Sequence, residues 1–119
     1  MLNNKYKIVF VDIDGTLVDD EKRISNETIQ IIRKLKEEGV YTVLTSGKPY
    51  NSIKQFSNKC YATPYIIASN GAIVKNLERN TDIFKKNINK DIAIKILDMI
   101  KENNLYTMVT ISGNIVTDD

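Results

Sequence analysis

Short apolar runs alternate with amphipathic stretches along the first 71 residues. Three runs contain mainly β-branched, aromatic or other apolar side chains and predict buried strands, at residues 8–11, 40–44 and 65–69. Between them, apolar residues three or four positions apart predict two helices. Ser25 suits the N-cap of the first helix and Gly39 suits its end, whereas Pro49 suits the first turn of the second helix, which should run to about Asn58. Strands joined through helices predict parallel pairing with right-handed crossovers.

The pattern changes beyond Gly71. A strand pair at 72–74 and 82–84, a helix at 90–103 and a hairpin at 106–117 follow one another, which is not the pattern of a parallel α/β sheet. Isoleucines at positions 92, 96 and 100 share one face of the predicted helix, and we expect that face to pack on a sheet. The connection at 17–23, before the first helix, is expected to be polar and flexible.

Polar turns follow each of the first three predicted strands. Residues 12–16 (DIDGT) follow the first strand, residues 46–49 (SGKP) the second, and residues 70–71 (NG) the third. Because ligands bind at the carboxyl ends of the strands in open α/β sheets, these turns should meet at one functional edge. Asp12 and Asp14 are separated by one residue and can point the same way. Such carboxylates bind a divalent cation or divide into a nucleophile and a proton donor.

Each motif also has an ordinary structural interpretation. Two acids after a strand can be solvated turn residues, and Ser46 can cap a helix. Asn70-Gly71 is the commonest tight-turn dipeptide, and Lys48 can be a solvated lysine in a first helical turn. Next to the Asp12 motif, the functional interpretation is favoured for Ser46 and Gly47. For Lys48 the structural interpretation is at least as good, and for Asn70-Gly71 both interpretations stay open.

The same three segments resemble the signatures of the haloacid dehalogenase-like (HAD) phosphatases. DIDGT resembles the opening signature of that superfamily, and residues 43–49 (VLTSGKP) resemble its second signature. Residues 68–72 (ASNGA) resemble a segment of its Cof-type branch. The resemblance implies an α/β fold with a three-layer, Rossmann-like parallel sheet core, of which this chain holds the N-terminal portion. It further implies a core over 1–78 and the beginning of an α/β cap over 79–119, both incomplete.

The resemblance also implies a chemistry for the two acids. It makes the chain part of a Mg²⁺-dependent phosphomonoester hydrolase that acts on small phosphorylated metabolites such as sugar phosphates, through an aspartyl-phosphate intermediate. Asp12 would be the nucleophile, and Asp14 would protonate the leaving group and then activate water. Mg²⁺ would be held by the Asp12 carboxylate and the Asp14 backbone carbonyl.

The other two turns would bind the substrate, by the same resemblance. Ser46 and Gly47 would hold a phosphoryl oxygen at the N-terminus of the second helix. Asn70 and Gly71 would lie beside the substrate. Lys48 stands where many relatives carry arginine; it keeps the positive charge but lacks the bidentate guanidinium.

Two later signatures of the superfamily have no counterpart here. One supplies a lysine that neutralises the nucleophile and the phosphate, and the other, Gly-Asp-x-x-x-Asp, supplies acids for Mg²⁺; residues 72–119 contain no such run. Without the later strands, Val9 and Val11 should lie on an open sheet edge. We therefore expect a fragment, a truncated gene product, or a protomer that completes its edge in a homo-oligomer, and no catalysis by these residues alone.

The composition of the chain argues against several classes of function. The chain has 119 residues, 42% of them hydrophobic, and a net charge of +2, with scattered lysines that give no reason to expect nucleic-acid binding. It contains no histidine, which excludes His-assisted triads, and its single cysteine, Cys60, forms no internal disulfide. The N-terminal apolar run is only four residues long, so we expect no signal peptide, no membrane span and a cytoplasmic location.

Three alternatives stay open at this point. The chain could be a non-catalytic HAD-like binding or assembly module that keeps the fold without the chemistry. It could also be a capless phosphatase whose site is built across subunits, although residues 82–117 are more typical of a cap. A phosphoacceptor receiver domain fits less well, because Leu44 leads into Thr45-Ser46 and not into an aspartate.

Overall fold

The computed structural model of the chain describes residues 5–117. Its helices and strands follow the sequence prediction within about two residues at most boundaries. In chain order they are β1 (Ile8–Asp12), α1 (Asn26–Glu37), β2 (Tyr41–Thr45), α2 (Tyr50–Cys60), β3 (Tyr65–Ala68), a 3₁₀ turn (Ser69–Gly71), β4 (Ile73–Asn76), β5 (Thr81–Lys85), α3 (Lys90–Glu102), β6 (Met108–Ile111) and β7 (Asn114–Thr117).

Five strands form one sheet in the order β1-β2-β3-β4-β5. The first three strands are parallel, while β4 and β5 pair antiparallel with their neighbours. This arrangement confirms the predicted α/β, Rossmann-type fold. Strands β6 and β7 form a separate antiparallel hairpin.

The first helix begins as its sequence predicts. The Ser25 hydroxyl accepts the backbone N–H of Thr28 at 3.1 Å, which caps one of the unpaired amides of the first turn. After α1 ends, Gly39 adopts a left-handed backbone with φ of +74°. The second helix instead takes Pro49 as its N-cap residue, one position before the first helical turn.

Both long core helices cover the same face of the sheet. Leu44 of β2, Ile66 of β3 and Ile53 of α2 have no exposed surface, and Ile32 of α1 belongs to the same apolar cluster. Burial of each such side chain contributes about 1.5–3 kcal/mol. This cluster therefore fixes the carboxyl ends of β1, β2 and β3 relative to one another.

The opposite face of the sheet is open within residues 5–117. Side chains that alternate along the strands remain at least 37% exposed there, namely Ile8, Phe10, Tyr41, Tyr65 and Phe84. In the part of the chain that the structure describes, β1 pairs with β2 alone, so its other edge is open as predicted.

The expectation of a polar, flexible connection at 17–23 is wrong in two respects. Leu17 and Val18 are each only 4% exposed and belong to the core. The following loop is closed by Asp19, whose carboxylate accepts the backbone N–H groups of Glu21 at 3.0 Å and Arg23 at 2.8 Å. Such Asx-type bonds give a polar loop a defined shape.

The predicted stripe on α3 does not pack on a sheet in the described residues. Ile92 and Ile96 are 54% and 39% exposed, and the helix contains no buried residue within the part described. The turn between β6 and β7 contacts α2: Tyr50 Oη donates a hydrogen bond to the Ser112 carbonyl oxygen at 2.7 Å.

The predicted boundary between core and cap lies in the turn that joins β4 to β5. Since β5 is hydrogen-bonded to β4, the first strand assigned to the cap (79–119) continues the sheet that begins in the core (1–78). The division into these two domains stays a prediction.

Candidate active site

Three polar turns meet at the carboxyl ends of β1, β2 and β3, and Lys48 links them. Its Nζ lies 3.1 Å from Asp14 Oδ2 in the first turn. Its backbone N–H donates to Ser46 Oγ at 3.2 Å within the second turn, and its carbonyl accepts the N–H of Ser69 at 3.0 Å from the third. The structure therefore brings together the turns that the sequence assigns to one edge.

The two acids lie on either side of a buried isoleucine. Asp12 ends β1 in register with Thr45 of β2, and Ile13 has no exposed surface. Asp12 and Asp14 are both exposed. The chain then turns back at Gly15, where φ is +74°, and the N–H of Leu17 donates to the Asp12 carbonyl at 3.1 Å.

The Asp14 carboxylate is held by two ammonium groups. Lys22 Nζ lies 2.6 Å from Oδ1, and Lys48 Nζ lies 3.1 Å from Oδ2. The hydrogen bond from Lys22 is the main reason that the pKa of Asp14 lies below its ordinary value, and the bond from Lys48 acts in the same direction. Asp14 is therefore a carboxylate at neutral pH in this arrangement.

Ser46 is buried, at 7% exposure, directly behind the edge of the sheet. Its N–H donates to the Ile67 carbonyl at 3.0 Å, and its carbonyl accepts the N–H of Asn70 at 3.3 Å. Because its Oγ accepts the N–H of Lys48, the hydroxyl proton can be donated to a ligand oxygen.

Gly47 and Asn70 approach each other closely. A Cβ at position 47 would lie 2.9 Å from Asn70 Oδ1, so the amide side chain occupies the space that any larger residue would need. Ser69, Asn70 and Gly71 have φ values of 51°, 54° and 90°, all in the left-handed region. Ser69 and Asn70 are not glycine, so their left-handed backbone is strained, and strain of this kind clusters at functional sites.

The donor atoms that the described residues offer are of the type that Mg²⁺ binds, but they are fewer than Mg²⁺ requires. Mg²⁺ takes six oxygen ligands, and the exposed end of β1 offers the Asp12 carboxylate and the Asp14 backbone carbonyl. Both Asp14 carboxylate oxygens face ammonium groups. Within residues 5–117, no three His, Cys, Asp or Glu side chains are placed to hold one ion.

Sequence reasoning missed Lys22 at this site. It is eight residues from Asp14 along the chain, in the loop that joins β1 to α1. The available signal was Asp19, because an aspartate before a polar stretch favours an Asx-type turn. The Asx-type turn at Asp19 could therefore be predicted from the sequence, but the direction of the Lys22 side chain could not.

None of the helices described in residues 5–117 combines the length and apolar character needed to cross a membrane.

Comparison with known proteins identifies relatives along almost the whole chain. The sequence model of the haloacid dehalogenase-like hydrolases matches residues 9–119. A Buchnera aphidicola protein with phosphatase in its name is 37% identical over 91 residues, which are 76% of this chain and 33% of the relative. The 5-amino-6-(5-phospho-D-ribitylamino)uracil phosphatase YitU of Bacillus subtilis is 27% identical over 109 residues, 91% of this chain and 40% of the relative.

A solved structure shares the fold. A haloacid dehalogenase-like hydrolase from Bacteroides thetaiotaomicron superposes with a TM-score of 0.86 at 25% identity, over 97% of this chain and 44% of that one. The chain thus spans between a third and somewhat under half of the length of these three proteins. With a family match over residues 9–119, this chain belongs to the haloacid dehalogenase-like hydrolases.

Proposed function

We propose that the chain carries the nucleophile and phosphate-contacting turns of a Mg²⁺-dependent phosphomonoester hydrolase of the Cof-type branch. The observation that carries this proposal is the convergence of the 12–16, 46–49 and 69–71 turns, held together by Lys48. Membership of a hydrolase family supports the same chemistry.

Asp12 is the nucleophile in this proposal. Its carboxylate oxygen attacks the phosphorus of the phosphomonoester, the bond from phosphorus to the alcohol oxygen breaks, and an aspartyl-phosphate forms. The exposure of Asp12 at the end of β1 supports this role, because the attacking oxygen must be open to the substrate.

Asp14 moves the protons. It donates a proton to the leaving alcohol oxygen and then accepts one from the water that attacks the aspartyl-phosphate, which releases inorganic phosphate and restores Asp12. The two lysines beside Asp14 lower its pKa, which favours the carboxylate that the second step requires and opposes the protonated form that the first step requires. The substrate phosphate must therefore draw the two ammonium groups away from Asp14 before Asp14 can carry the proton that it donates.

Ser46 and Gly47 hold a phosphoryl oxygen, through the Ser46 hydroxyl and the Gly47 amide. Asn70 and Gly71 border the substrate. The close approach of Asn70 to Gly47 supports this assignment, since a residue that touches the phosphate turn also lies near what the turn binds.

Mg²⁺ is the proposed cofactor, with the Asp12 carboxylate and the Asp14 carbonyl as its ligands from this chain. When bound, it screens the repulsion between an anionic carboxylate and an anionic phosphate. With two donors from the described residues, we expect weak binding, and we expect the 119-residue chain alone to be inactive.

The proposed substrates are small phosphorylated metabolites such as sugar phosphates. The Bacillus subtilis relative is named as a phosphatase of 5-amino-6-(5-phospho-D-ribitylamino)uracil, and this supports a small phosphate ester as the substrate. A cytoplasmic location and a homo-oligomer that completes the β1 edge remain predictions from the sequence.

The test is hydrolysis of an aryl phosphate and a panel of sugar phosphates, with and without Mg²⁺, by the protein in the full form that its gene encodes. We expect metal-dependent turnover that Asp12→Asn abolishes. Asp98→Asn removes an exposed carboxylate from α3 and should leave turnover unchanged. Absence of turnover across the panel, or full turnover by Asp12→Asn, would overturn the proposal; the former would favour a non-catalytic binding or assembly module.

A further inference from the structure

Two lysines from separate turns converge on one carboxylate. Lys22 reaches Asp14 from the loop after β1, at 2.6 Å, and Lys48 reaches it from the turn after β2, at 3.1 Å. Each ammonium takes a different carboxylate oxygen. The pair therefore brackets Asp14 at the edge where the three polar turns meet.

The loop that presents Lys22 has a defined shape. Besides accepting two backbone amides, the Asp19 carboxylate pairs with Arg23, whose Nε lies 3.0 Å from Oδ2. Two backbone bonds close the same loop: the Lys22 N–H donates to the Asp19 carbonyl, and the Asp19 N–H donates to the Arg23 carbonyl, each at 3.0 Å. These bonds define the backbone position of Lys22, from which its side chain reaches Asp14.

Lys22 adopts a backbone conformation that lysine rarely uses. Its φ is +60°, in the left-handed region, where a side chain with a Cβ is disfavoured. The ion pair that results is exposed, with side-chain exposures of 55% for Lys22 and 39% for Asp14, and exposed pairs add little to stability. Fold stability therefore does not account for the geometry.

The charges of the side chains at this edge explain the position of Lys22 better than fold stability does. Without the two ammonium groups, Asp12 and Asp14 would present two exposed negative charges at the site and would repel a phosphate dianion. The two lysines neutralise this pair. Arg23 is directed elsewhere, since its guanidinium contacts Asp19 and Glu21.

We propose that Lys22 and Lys48 form an anion site that takes the phosphate group of a phosphomonoester, exchanging the Asp14 carboxylate for phosphate oxygens. The inference rests on the proposed function for the identity of its natural ligand. Ser46 lies behind Lys48 and can donate its hydroxyl to the same anion. The assignment of Lys22 follows from its distance to Asp14 and from the fixed loop that carries it.

The test is an NMR titration of the ¹⁵N-labelled chain with inorganic phosphate at constant ionic strength, without Mg²⁺. We expect saturable shifts of amides in the 19–23 and 46–48 loops. Lys22→Gln and Lys48→Gln should each weaken phosphate binding about fivefold, whereas Lys54→Gln, on the exposed side of α2, should not. Amide spectra of each variant report whether the fold is intact.

The Asp14→Asn variant distinguishes an anion site from two lysine contacts that only hold Asp14 in place. If the carboxylate competes with phosphate for the two ammonium groups, its removal should strengthen phosphate binding about fivefold. If the lysines only hold Asp14 in place, the variant should show no gain, and the inference would be overturned. It would also be overturned if the wild-type chain showed no saturable binding, or if Lys22→Gln behaved like Lys54→Gln.

The two proposals can fail separately. Phosphate binding is measured here without turnover and without metal. An inactive protein that binds phosphate through Lys22 would refute the proposed function and support the anion site, and an active phosphatase with unchanged binding in Lys22→Gln would do the reverse.

Discussion

Substitution of Gly47 by alanine tests the packing of the second and third turns. Gly47 does not have a left-handed φ, so its backbone can accept alanine. The added Cβ would lie 2.9 Å from Asn70 Oδ1 and 3.4 Å from both Asn70 Cγ and Nδ2. Favourable contacts begin at about 3.5 Å, so the Asn70 amide must shift by roughly half an ångström. Displacing a side chain from its rotamer costs about 0.5–1.5 kcal/mol.

The same substitution also acts on the unfolded chain. Replacing glycine by alanine at a compatible backbone position stabilises by about 0.4–1 kcal/mol, because the unfolded state loses entropy. In the wild-type background the two effects oppose each other, and we expect the effect of Gly47→Ala to lie between a stabilisation of about 0.5 kcal/mol and a destabilisation of about 1 kcal/mol.

A double-mutant cycle isolates the contact. Asn70→Gly removes the amide and still suits the φ of 54° at that position. In that background, Gly47→Ala should become stabilising by about 0.4–1 kcal/mol, as measured by urea unfolding followed by circular dichroism. An equal effect of Gly47→Ala in both backgrounds would show that the close approach of residues 47 and 70 is not what requires glycine.

Three further predictions follow from other contacts. A Cβ at Gly113, where φ is +80°, would lie 2.3 Å from the Tyr50 ring. Gly113→Ala should therefore release the β6–β7 hairpin from α2, and amide hydrogen exchange in β6 and β7 would detect this release. Unchanged protection of these amides would contradict the prediction. The buried Lys75 donates a hydrogen bond to Asp82, which lowers the pKa of that carboxyl group. The contribution of this pair to the stability of the fold is therefore complete above the ordinary aspartate pKa of about 4 and is lost as the pH falls through the lower pKa of Asp82 in the folded state. Asp82→Asn should accordingly flatten the acid limb of the stability profile, and an unchanged limb in urea unfolding would refute this account. Phe10 is 59% exposed on the sheet face that is open in residues 5–117, next to the edge of β1 that has no partner strand among those residues, and we expect the chain to self-associate there. Phe10→Lys should shift sedimentation toward the monomer, and a wild-type chain that is monomeric at all concentrations would contradict the prediction.

The secondary structure could be predicted because its signals are local. The apolar runs, Ser25 at its cap and Gly39 after α1 each act within a few residues of chain. The strand-end positions of Asp12, Ser46 and Asn70 followed from the same signals, since a parallel sheet places successive strand ends together.

Contacts between distant residues could not be predicted in this way. The position of Lys22 depends on how Asp19 closes a loop, and no periodicity reports the direction of a side chain in a loop. The failure on α3 has a different origin: its apolar stripe is present, but amphipathicity does not tell what a helix packs against, and within residues 5–117 its side chains Ile92 and Ile96 remain exposed.

The most direct test of the account is whether Asp12 is required for phosphate-ester hydrolysis. Initial rates on an aryl phosphate should be compared with and without Mg²⁺ for the protein in the full form that its gene encodes, and for its Asp12→Asn and Asp98→Asn variants. We predict Mg²⁺-dependent turnover in the wild type and in Asp98→Asn, and a loss of about three orders of magnitude or more in Asp12→Asn. Turnover in Asp12→Asn at the wild-type rate would contradict the assignment of Asp12 as the nucleophile.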